Sequence, residues 1–321
     1  MDWILNVKSY VRVVEEGSFN GAARKLNTTS SAISKRVMNE RRFALPNGNM
    51  AALEIGNEKT TACSVVFLHG WMDNAGSFKS LMNAIHQRNP DLHLLAIDLF
   101  GHGLSSHKSS DNYYPFHDYI ADLHQLLDEL SPNRLMLVGH SLGALIASCY
   151  SAAFPEQVEA LVQIEGAGPL AEQPSNSVKR LRDGVLGRQR QRSKPERAIA
   201  SFDLALKLRI HANHLTAEQL MPIVERGTEC RENQWFWRHD AKLKCDSLYR
   251  MAQDHANSIT SQIRCPHLII LGDKGFQHLQ SNQVDWGENP PNVVSVAGGH
   301  HCHLEQTLEV AKRILGVVNK I

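Results

Sequence analysis

The sequence lacks closely spaced cysteines, and it lacks an excess of charge of one sign. Its six cysteines are scattered over 321 residues without a C-x-x-C pair. This spacing excludes a small disulfide scaffold and the usual thiolate zinc module, and it is typical of a protein in a reducing cytosol. With 34 Lys and Arg residues against 33 Asp and Glu residues, the net charge is only +1. The overall charge therefore does not favour a nucleic-acid or membrane partner.

Long uninterrupted apolar runs are also missing. The first residues contain no continuous apolar segment of the kind found in signal peptides, so we expect a cytoplasmic protein. The most apolar window, 135–154, contains His140, Ser141 and two glycines. A strand, a sharp turn and a buried helix account for that window better than a membrane span does.

Strand-like and helical segments alternate over about residues 41–166 and 256–321. Asn47-Gly48, between two short strand-like runs, predicts a β-hairpin. Most later runs are apolar on both faces, as buried parallel strands are. The alternation predicts an α/β fold with a mostly parallel sheet and helices on both faces. The predicted strands are 64–69, 92–98, 134–139, 158–165, 267–272 and 293–296, and the clearest helices are 119–130 and 143–153.

The sharpest motif is Gly-His-Ser-Leu-Gly at 139–143, which follows a predicted strand and precedes a predicted helix. A G-x-S-x-G turn in this setting exposes its serine above the sheet, at the positive end of the helix. We predict that Ser141 is a nucleophile. A plain strand-to-helix turn is the alternative.

Two loops after earlier strands complete the expected surroundings of Ser141. In His69-Gly70-Trp71, the backbone N–H of Trp71 would form an oxyanion hole together with the N–H of Leu142. A simple strand-end turn would give the same residues. In the segment 98–105, we expect Asp98 to hold a glycine-rich loop by hydrogen bonds rather than to take part in chemistry.

A histidine cluster follows the last predicted strand, in the segment GGHHCHLE at 298–305. A general base needs a pKa near the working pH, which histidine supplies. We assign this role to His300, because it directly follows the glycine pair, and we expect His301 and His303 to be helix-entry or core residues. No histidine or carboxylate cluster elsewhere pairs with them, so we predict no metal site.

A histidine base needs a carboxylate to orient it, and two carboxylates compete for that position. In the common arrangement of a serine–histidine–acid triad on a parallel sheet, the acid lies three residues past the glycine that ends a strand such as 267–272. Here that position is occupied by Gly275. Asp273 lies two residues short of that place. Glu165 is the last residue of the apolar strand that comes after the helix following Ser141. An acid without a partner at that position would destabilise the fold. We favour Glu165, with Asp273 as the alternative.

Taken together, these segments resemble the α/β-hydrolase superfamily and, within it, the serine hydrolase-like proteins. The resemblance covers about residues 41–321 and implies a helical cap at about 167–255 between two parts of a core, 41–166 and 256–321. It implies a serine hydrolase that needs no cofactor, with Gly275 as a departure from the family pattern. The matching segments are 68–74, 97–107, 138–145, 161–170, 236–250 and 298–306.

The first 40 residues resemble the helix-turn-helix of LysR-type regulators, forming a short helical extension. Phe19, Ala22, Ala23 and Leu26 have helical core spacing, and Thr28-Thr29 would be the turn. The segment 30–37 would be the recognition helix, with Ser31, Ser34, Lys35 and Arg36 available to DNA. The further helix and wing of that family do not follow, so we expect a fused remnant in preference to a working DNA reader.

These observations predict a serine hydrolase of carboxylesterase type that cleaves a small ester through an acyl-enzyme, with no cofactor. Three aromatic residues at 235–237 line its pocket or form the core of its cap. The main alternative is a DNA-binding regulator that uses the hydrolase fold as a ligand sensor. A catalytically silent binding domain is a third hypothesis, supported only by Gly275. The substrate and the oligomeric state are not encoded in any motif.

Overall fold

A computed structural model describes residues 38–281 and 284–321, together with eight residues of the first 37, namely Lys8, Val11, Arg12, Glu15, Glu16, Arg24, Lys25 and Leu26. The strands are β1 (Asn39–Leu45), β2 (Gly48–Ile55), β3 (Ser64–Leu68), β4 (His93–Ile97), β5 (Leu135–His140), β6 (Ala160–Ile164), β7 (Thr228–Arg231), β8 (Gln234–Trp237), β9 (His267–Gly272) and β10 (Asn292–Val296).

Most helices lie between these strands, and the last two follow β10. They are α1 (Lys79–His86), α2 (Asp118–Leu130), α3 (Leu142–Ala153), α4 (Ser177–Arg192), α5 (Phe202–Asn213), α6 (Ala217–Gly227), α7 (Gln253–Thr260), α8 (Gln277–Ser281), α9 (Cys302–Glu305) and α10 (Thr307–Val318). Among the described residues, no helix combines the length and the apolar character that a membrane crossing requires.

Eight strands form one sheet in the order β1-β2-β4-β3-β5-β6-β9-β10. The hairpin β1–β2 pairs antiparallel, and β2 pairs antiparallel with β4. The pairings from β4 to β10 are parallel. The predicted α/β fold with a mostly parallel sheet is confirmed, because each predicted strand from residue 64 onward overlaps an observed one.

The sheet is buried on both faces, which explains why its strands are apolar throughout. Along β3, Val65 and Phe67 face the side covered by α1 and α10, whereas Val66 and Leu68 face the side covered by α2 and α3. At about 25 cal/mol per Å² of apolar surface removed from water, these two layers supply the main stabilisation of the fold. The sheet thereby gives rigid support to the loops at the carboxyl ends of its strands.

The chain between β6 and β9 contains α4 to α7 and the β7–β8 hairpin. Helix α6 begins with a capping box, in which the Thr216 side chain accepts from the Gln219 amide while the Gln219 side chain accepts from the Thr216 amide. Trp235 packs beside Phe202 and Ile199 in a small core of its own. The segment expected as a helical cap therefore also carries a strand pair.

The hairpin β1–β2 directly follows the amino-terminal extension along the chain. Strand β1 begins at Asn39, so it crosses the expected boundary near residue 40. Most of the predicted helix-turn-helix, including its recognition segment 30–37, lies outside the described residues. Leu26 is described, and it packs against the sheet face that carries α1 and α10.

Candidate active site

Ser141 lies at the sharp turn, or elbow, between β5 and α3, in a backbone conformation that few non-glycine residues adopt. Its φ is +49° and its ψ is −117°. The amide of Ser141 donates to the Ile164 carbonyl at 2.9 Å. A Cβ on Gly143 would lie 2.0 Å from the Leu68 carbonyl oxygen, so only glycine allows α3 to start this close to β3. The strained turn is held by its surroundings, as at many functional sites.

The loop after β3 and the start of α3 flank this serine, since a Cβ on Gly70 would lie 3.3 Å from Ser141 Cβ and Leu142 directly follows Ser141. Leu142 is the first residue of α3, where helical amides have no partner within the helix. Trp71 lies on the loop after β3, and its indole Nε1 donates to the Leu243 carbonyl at 3.1 Å. The Trp71 side chain is 54% exposed. The Trp71 side chain therefore extends from the loop after β3 to the segment 241–244, which lies between β8 and α7.

Two buried neutral histidines fix the loop that carries Trp71. The Leu99 amide donates to His69 Nε2 at 3.0 Å, so His69 Nδ1 carries the proton and donates to the Gly70 carbonyl at 2.7 Å. The Met72 amide likewise donates to His102 Nε2 at 3.3 Å. Burial lowers the pKa of both imidazoles, and that of His102 lies well below its usual value.

Asp98 closes the same region from β4. Its carboxylate accepts from the amides of Ala75 and Leu104, each at 2.7 Å, and from Arg226 Nε at 2.9 Å. Arg226 in turn donates to Glu40 at 2.6 Å. Asp98 thus holds the glycine-rich loop through hydrogen bonds.

His300 and Glu165 lie together at the carboxyl ends of the parallel strands. His300 Nδ1 is 3.3 Å from Glu165 Oε2. The Glu165 side chain is buried, and its oxygens accept from the amides of Gly272 at 2.7 Å and Phe276 at 3.1 Å. His140 Nε2 donates to the His300 carbonyl at 2.8 Å, which ties the histidine loop to the serine elbow. With Nδ1 on Glu165, Nε2 is the His300 nitrogen left to face a substrate.

Gly275 leaves room for the Glu165 carboxylate beside His300. A Cβ on Gly275 would lie 2.1 Å from Glu165 Oε1, so the Glu165 carboxylate fills the space above this glycine. Glu165 has a φ of +51°, and its amide donates to the Ile270 carbonyl at 2.9 Å, which turns its side chain toward the loop after β9. Asp273 is exposed and accepts the Gly298 amide at 2.9 Å. The structure thus brings Glu165, and not Asp273, to His300.

A second carboxylate, Asp73, lies beneath the elbow, and the sequence motifs did not single it out. It pairs with Arg209, contacts His301 Nε2 at 3.2 Å and lies 3.9 Å from His140 Nδ1. Burial opposes its charge, yet His301 and Arg209 hold the pKa of Asp73 well below its usual value. Asp73, His140 and His301 each place a ligand-type atom within 4.8 Å of the others. The cation that already pairs with this carboxylate is Arg209.

A cavity of about 510 Å³ opens beside Ser141 and Glu165. Its walls are mostly apolar, and Phe276 at its edge packs on the His300 ring with 4.2 Å between centroids. The aromatic residues at 235–237 do not line it; they belong to β8 and the small core beneath it. The apolar walls include Tyr119, Leu142, Leu145, Leu170, Leu243 and Met251.

Comparison with known proteins identifies the fold and the amino-terminal segment separately. A family model described as alpha/beta hydrolase fold matches residues 64–305, and one for bacterial regulatory helix-turn-helix proteins of the lysR family matches residues 5–42. The chain is 25% identical over 305 residues to a serine hydrolase-like protein of Danio rerio, covering 91% of this chain and 92% of that protein.

Two further relatives extend this similarity to bacteria. An esterase of Mycobacterium tuberculosis is 31% identical over 231 residues, covering 71% of this chain and 72% of that protein. The crystal structure of a hypothetical protein of Pseudomonas aeruginosa superposes with a TM-score of 0.78 at 28% identity, covering 88% of this chain and 99% of that one. The chain belongs to the alpha/beta hydrolase family.

Proposed function

We propose that this protein is a carboxylester hydrolase that works through an acyl-enzyme on Ser141. The observation that carries the proposal is the Glu165–His300 pair, at 3.3 Å, beside an elbow serine that opens onto an apolar cavity. The similarity to the mycobacterial esterase supports the same bond class. The substrate is accordingly a small molecule with an ester carbonyl.

In this mechanism Ser141 Oγ attacks the ester carbonyl while His300 Nε2 takes its proton. Glu165 holds His300 in the tautomer with a proton on Nδ1 and stabilises the imidazolium that forms. The N–H groups of Trp71 and Leu142 bind the oxyanion, which is stabilised by the positive end of α3. His300 then protonates the leaving alcohol. A water molecule repeats the same steps on the acyl-enzyme and releases the acid.

The decisive test is hydrolysis of a short-chain p-nitrophenyl ester by purified Ser141→Ala protein. Removing a nucleophile that acts as a unit with its base typically lowers turnover by about 10⁶-fold. Ser151→Ala is the matched control, since Ser151 is a buried serine nearly three turns further along α3. It should keep near wild-type activity. Turnover by Ser141→Ala, or fluorophosphonate labelling of any residue other than Ser141, would contradict the proposal.

A second candidate function rests on the lysR-family match at residues 5–42. In it, the chain is a DNA-binding regulator, and the hydrolase domain senses a small molecule. A gel-shift titration over genomic fragments at two salt concentrations tests it, because a protein that reads DNA binds some fragments specifically. Ser141-dependent turnover without a specific shift favours the enzyme, and a specific shift without turnover favours the regulator.

A further inference from the structure

Three cationic side chains line the cavity that contains Ser141, namely Lys242, Lys244 and Arg250. Lys242 is already engaged, because its Nζ donates to the carbonyls of Lys108, Ser109 and Asn112 at 2.7 to 3.1 Å. Lys244 is exposed at the rim. Arg250 is half-buried in the cavity wall. Unlike the two lysines, it would be left with neither a partner nor full contact with water if the substrate were entirely apolar.

Arg250 has no ion pair or hydrogen bond with any residue in the described part of the chain. The two acids whose charge reaches Arg250, Glu172 and Asp246, form no ion pair with it. Both oxygens of Glu172 are bound by Arg180, one of them at 2.7 Å. Asp246 is exposed and borders a neighbouring pocket with Lys179 and Arg180. Burial and the proximity of Arg180 lower the pKa of the Arg250 guanidinium below its usual value.

Hydrogen bonds hold the backbone next to Arg250 in place relative to the segment that follows Glu165. Met251 forms a bridge with Ala171, and the Glu172 amide donates to the Met251 carbonyl at 3.0 Å. The chain 165–172 runs directly from Glu165 to this bridge. Both Leu170 and Met251 line the cavity. Arg250 is therefore held at a set position on the same cavity wall as two apolar contacts, which is what a recognition residue requires.

We propose that Arg250 binds a carboxylate carried by the substrate, so that the preferred esters have an acyl chain with a free acid at its far end. This inference rests on the proposed ester hydrolysis at Ser141. A guanidinium presents a planar pair of N–H donors that matches a carboxylate. The apolar walls would pack on the methylene groups between the carboxylate and the scissile carbonyl, as ligand pockets commonly combine a few polar anchors with apolar contact.

The test compares two esters that differ only at the far end of the acyl chain, namely mono(4-nitrophenyl) adipate and 4-nitrophenyl hexanoate. Wild-type protein should hydrolyse the adipate ester with the higher kcat/KM. Charge-assisted hydrogen bonds contribute enough that Arg250→Met should lower kcat/KM for adipate by about 30-fold, mainly through KM, and for hexanoate by less than about threefold. Arg250→Lys should recover part of the adipate activity.

Arg190→Met is the matched control, because Arg190 is an exposed arginine on α4 that does not line the cavity. It removes the same charge and should leave the ratio of the two substrates unchanged. Equal losses on both esters in Arg250→Met would assign Arg250 a structural role and overturn the proposal. An unchanged ratio, or the same change in Arg190→Met, would also overturn it.

Binding of free adipate to Ser141→Ala protein separates this inference from the proposed function. Calorimetry should detect adipate binding in that protein and about tenfold or weaker binding when Arg250→Met is added. Binding without any Ser141-dependent turnover would keep the anion site and reject the esterase. Turnover without Arg250-dependent adipate binding would keep the esterase and reject the anion site.

Discussion

Two carboxylate–histidine pairs lie near the serine elbow, and they differ in what else holds the carboxylate. Glu165 is bound by two backbone amides and His300, and it borders the cavity. Asp73 is bound by Arg209 and His301 and is buried beneath the elbow. Amides orient a carboxylate without cancelling its charge, whereas a guanidinium neutralises it. In the proposed mechanism the first pair stabilises a developing imidazolium, whereas the second holds the loop after β3.

The largest expected effect is the loss of ester turnover when the carboxylate of the first pair is replaced. Glu165→Gln keeps the side-chain shape but removes the charge that orients His300, and the corresponding change in a well-studied triad costs about 10⁴-fold. Asp273→Asn is the matched substitution on the exposed competitor and should stay within about threefold of wild type. Steady-state hydrolysis of a p-nitrophenyl ester measures both. A crippled Asp273→Asn with a near-normal Glu165→Gln would reverse the assignment.

Asp73→Asn should instead act on stability. It leaves the charge of Arg209 without its buried partner, and breaking such a pair costs about 3 kcal/mol of the free energy of unfolding. Urea denaturation at pH 7.5 measures this loss. Asp183→Asn breaks a more exposed pair with Lys179 on α4 and should leave the unfolding midpoint unchanged. If Asp73→Asn were fully stable and yet inactive, Asp73 would belong to the catalytic group.

Acid should lower the free energy of unfolding through the buried histidines. Burial lowers the pKa of His303 to about 3 and holds the pKa values of His102 and His140 well below their usual range. Between pH 7.5 and 5.5 the unfolded chain protonates these imidazoles near pH 6.5 while the folded protein does not, so stability falls as pH falls. Each contributes about 1 kcal/mol over that interval.

Urea unfolding of variants at the two pH values identifies the source of this dependence. His303→Leu removes one buried imidazole and should reduce the pH dependence by about 1 kcal/mol. His255→Gln changes an exposed histidine on α7 and should leave it unaltered. A pH dependence that survives His303→Leu in full would show that this ring titrates normally in the folded protein.

The smallest effect should come from removing the amino-terminal segment. Deleting residues 1–37 keeps Met38, which is buried, and the whole of β1. The loss of Leu26 packing removes a partly buried contact, so the free energy of unfolding should fall by about 1 kcal/mol or less, and ester turnover by less than about twofold. An insoluble or inactive product would make these residues part of the hydrolase fold.

The sequence was sufficient to predict the sheet and the elbow, because both depend on local patterns. Strands that are apolar on both faces and the glycine pair around Ser141 can be recognised within a few residues. The position of the acid could not be derived in that way, since it depends on the turn at Glu165 and the space above Gly275, 110 residues apart. Asp73 was missed because its partners, Arg209 and His301, come from elements far apart in the chain.

The contact between Gly275 and the Glu165 carboxylate also constrains how this site can change by mutation. A carboxylate introduced at 275 would collide with Glu165, because even a Cβ there would lie 2.1 Å from Glu165 Oε1. Removing Glu165 first would leave His300 without its acid. Either single step therefore passes through an impaired protein, and only the two together would restore the more common arrangement. The two positions of the acid are therefore linked by reciprocal sign epistasis in this fold.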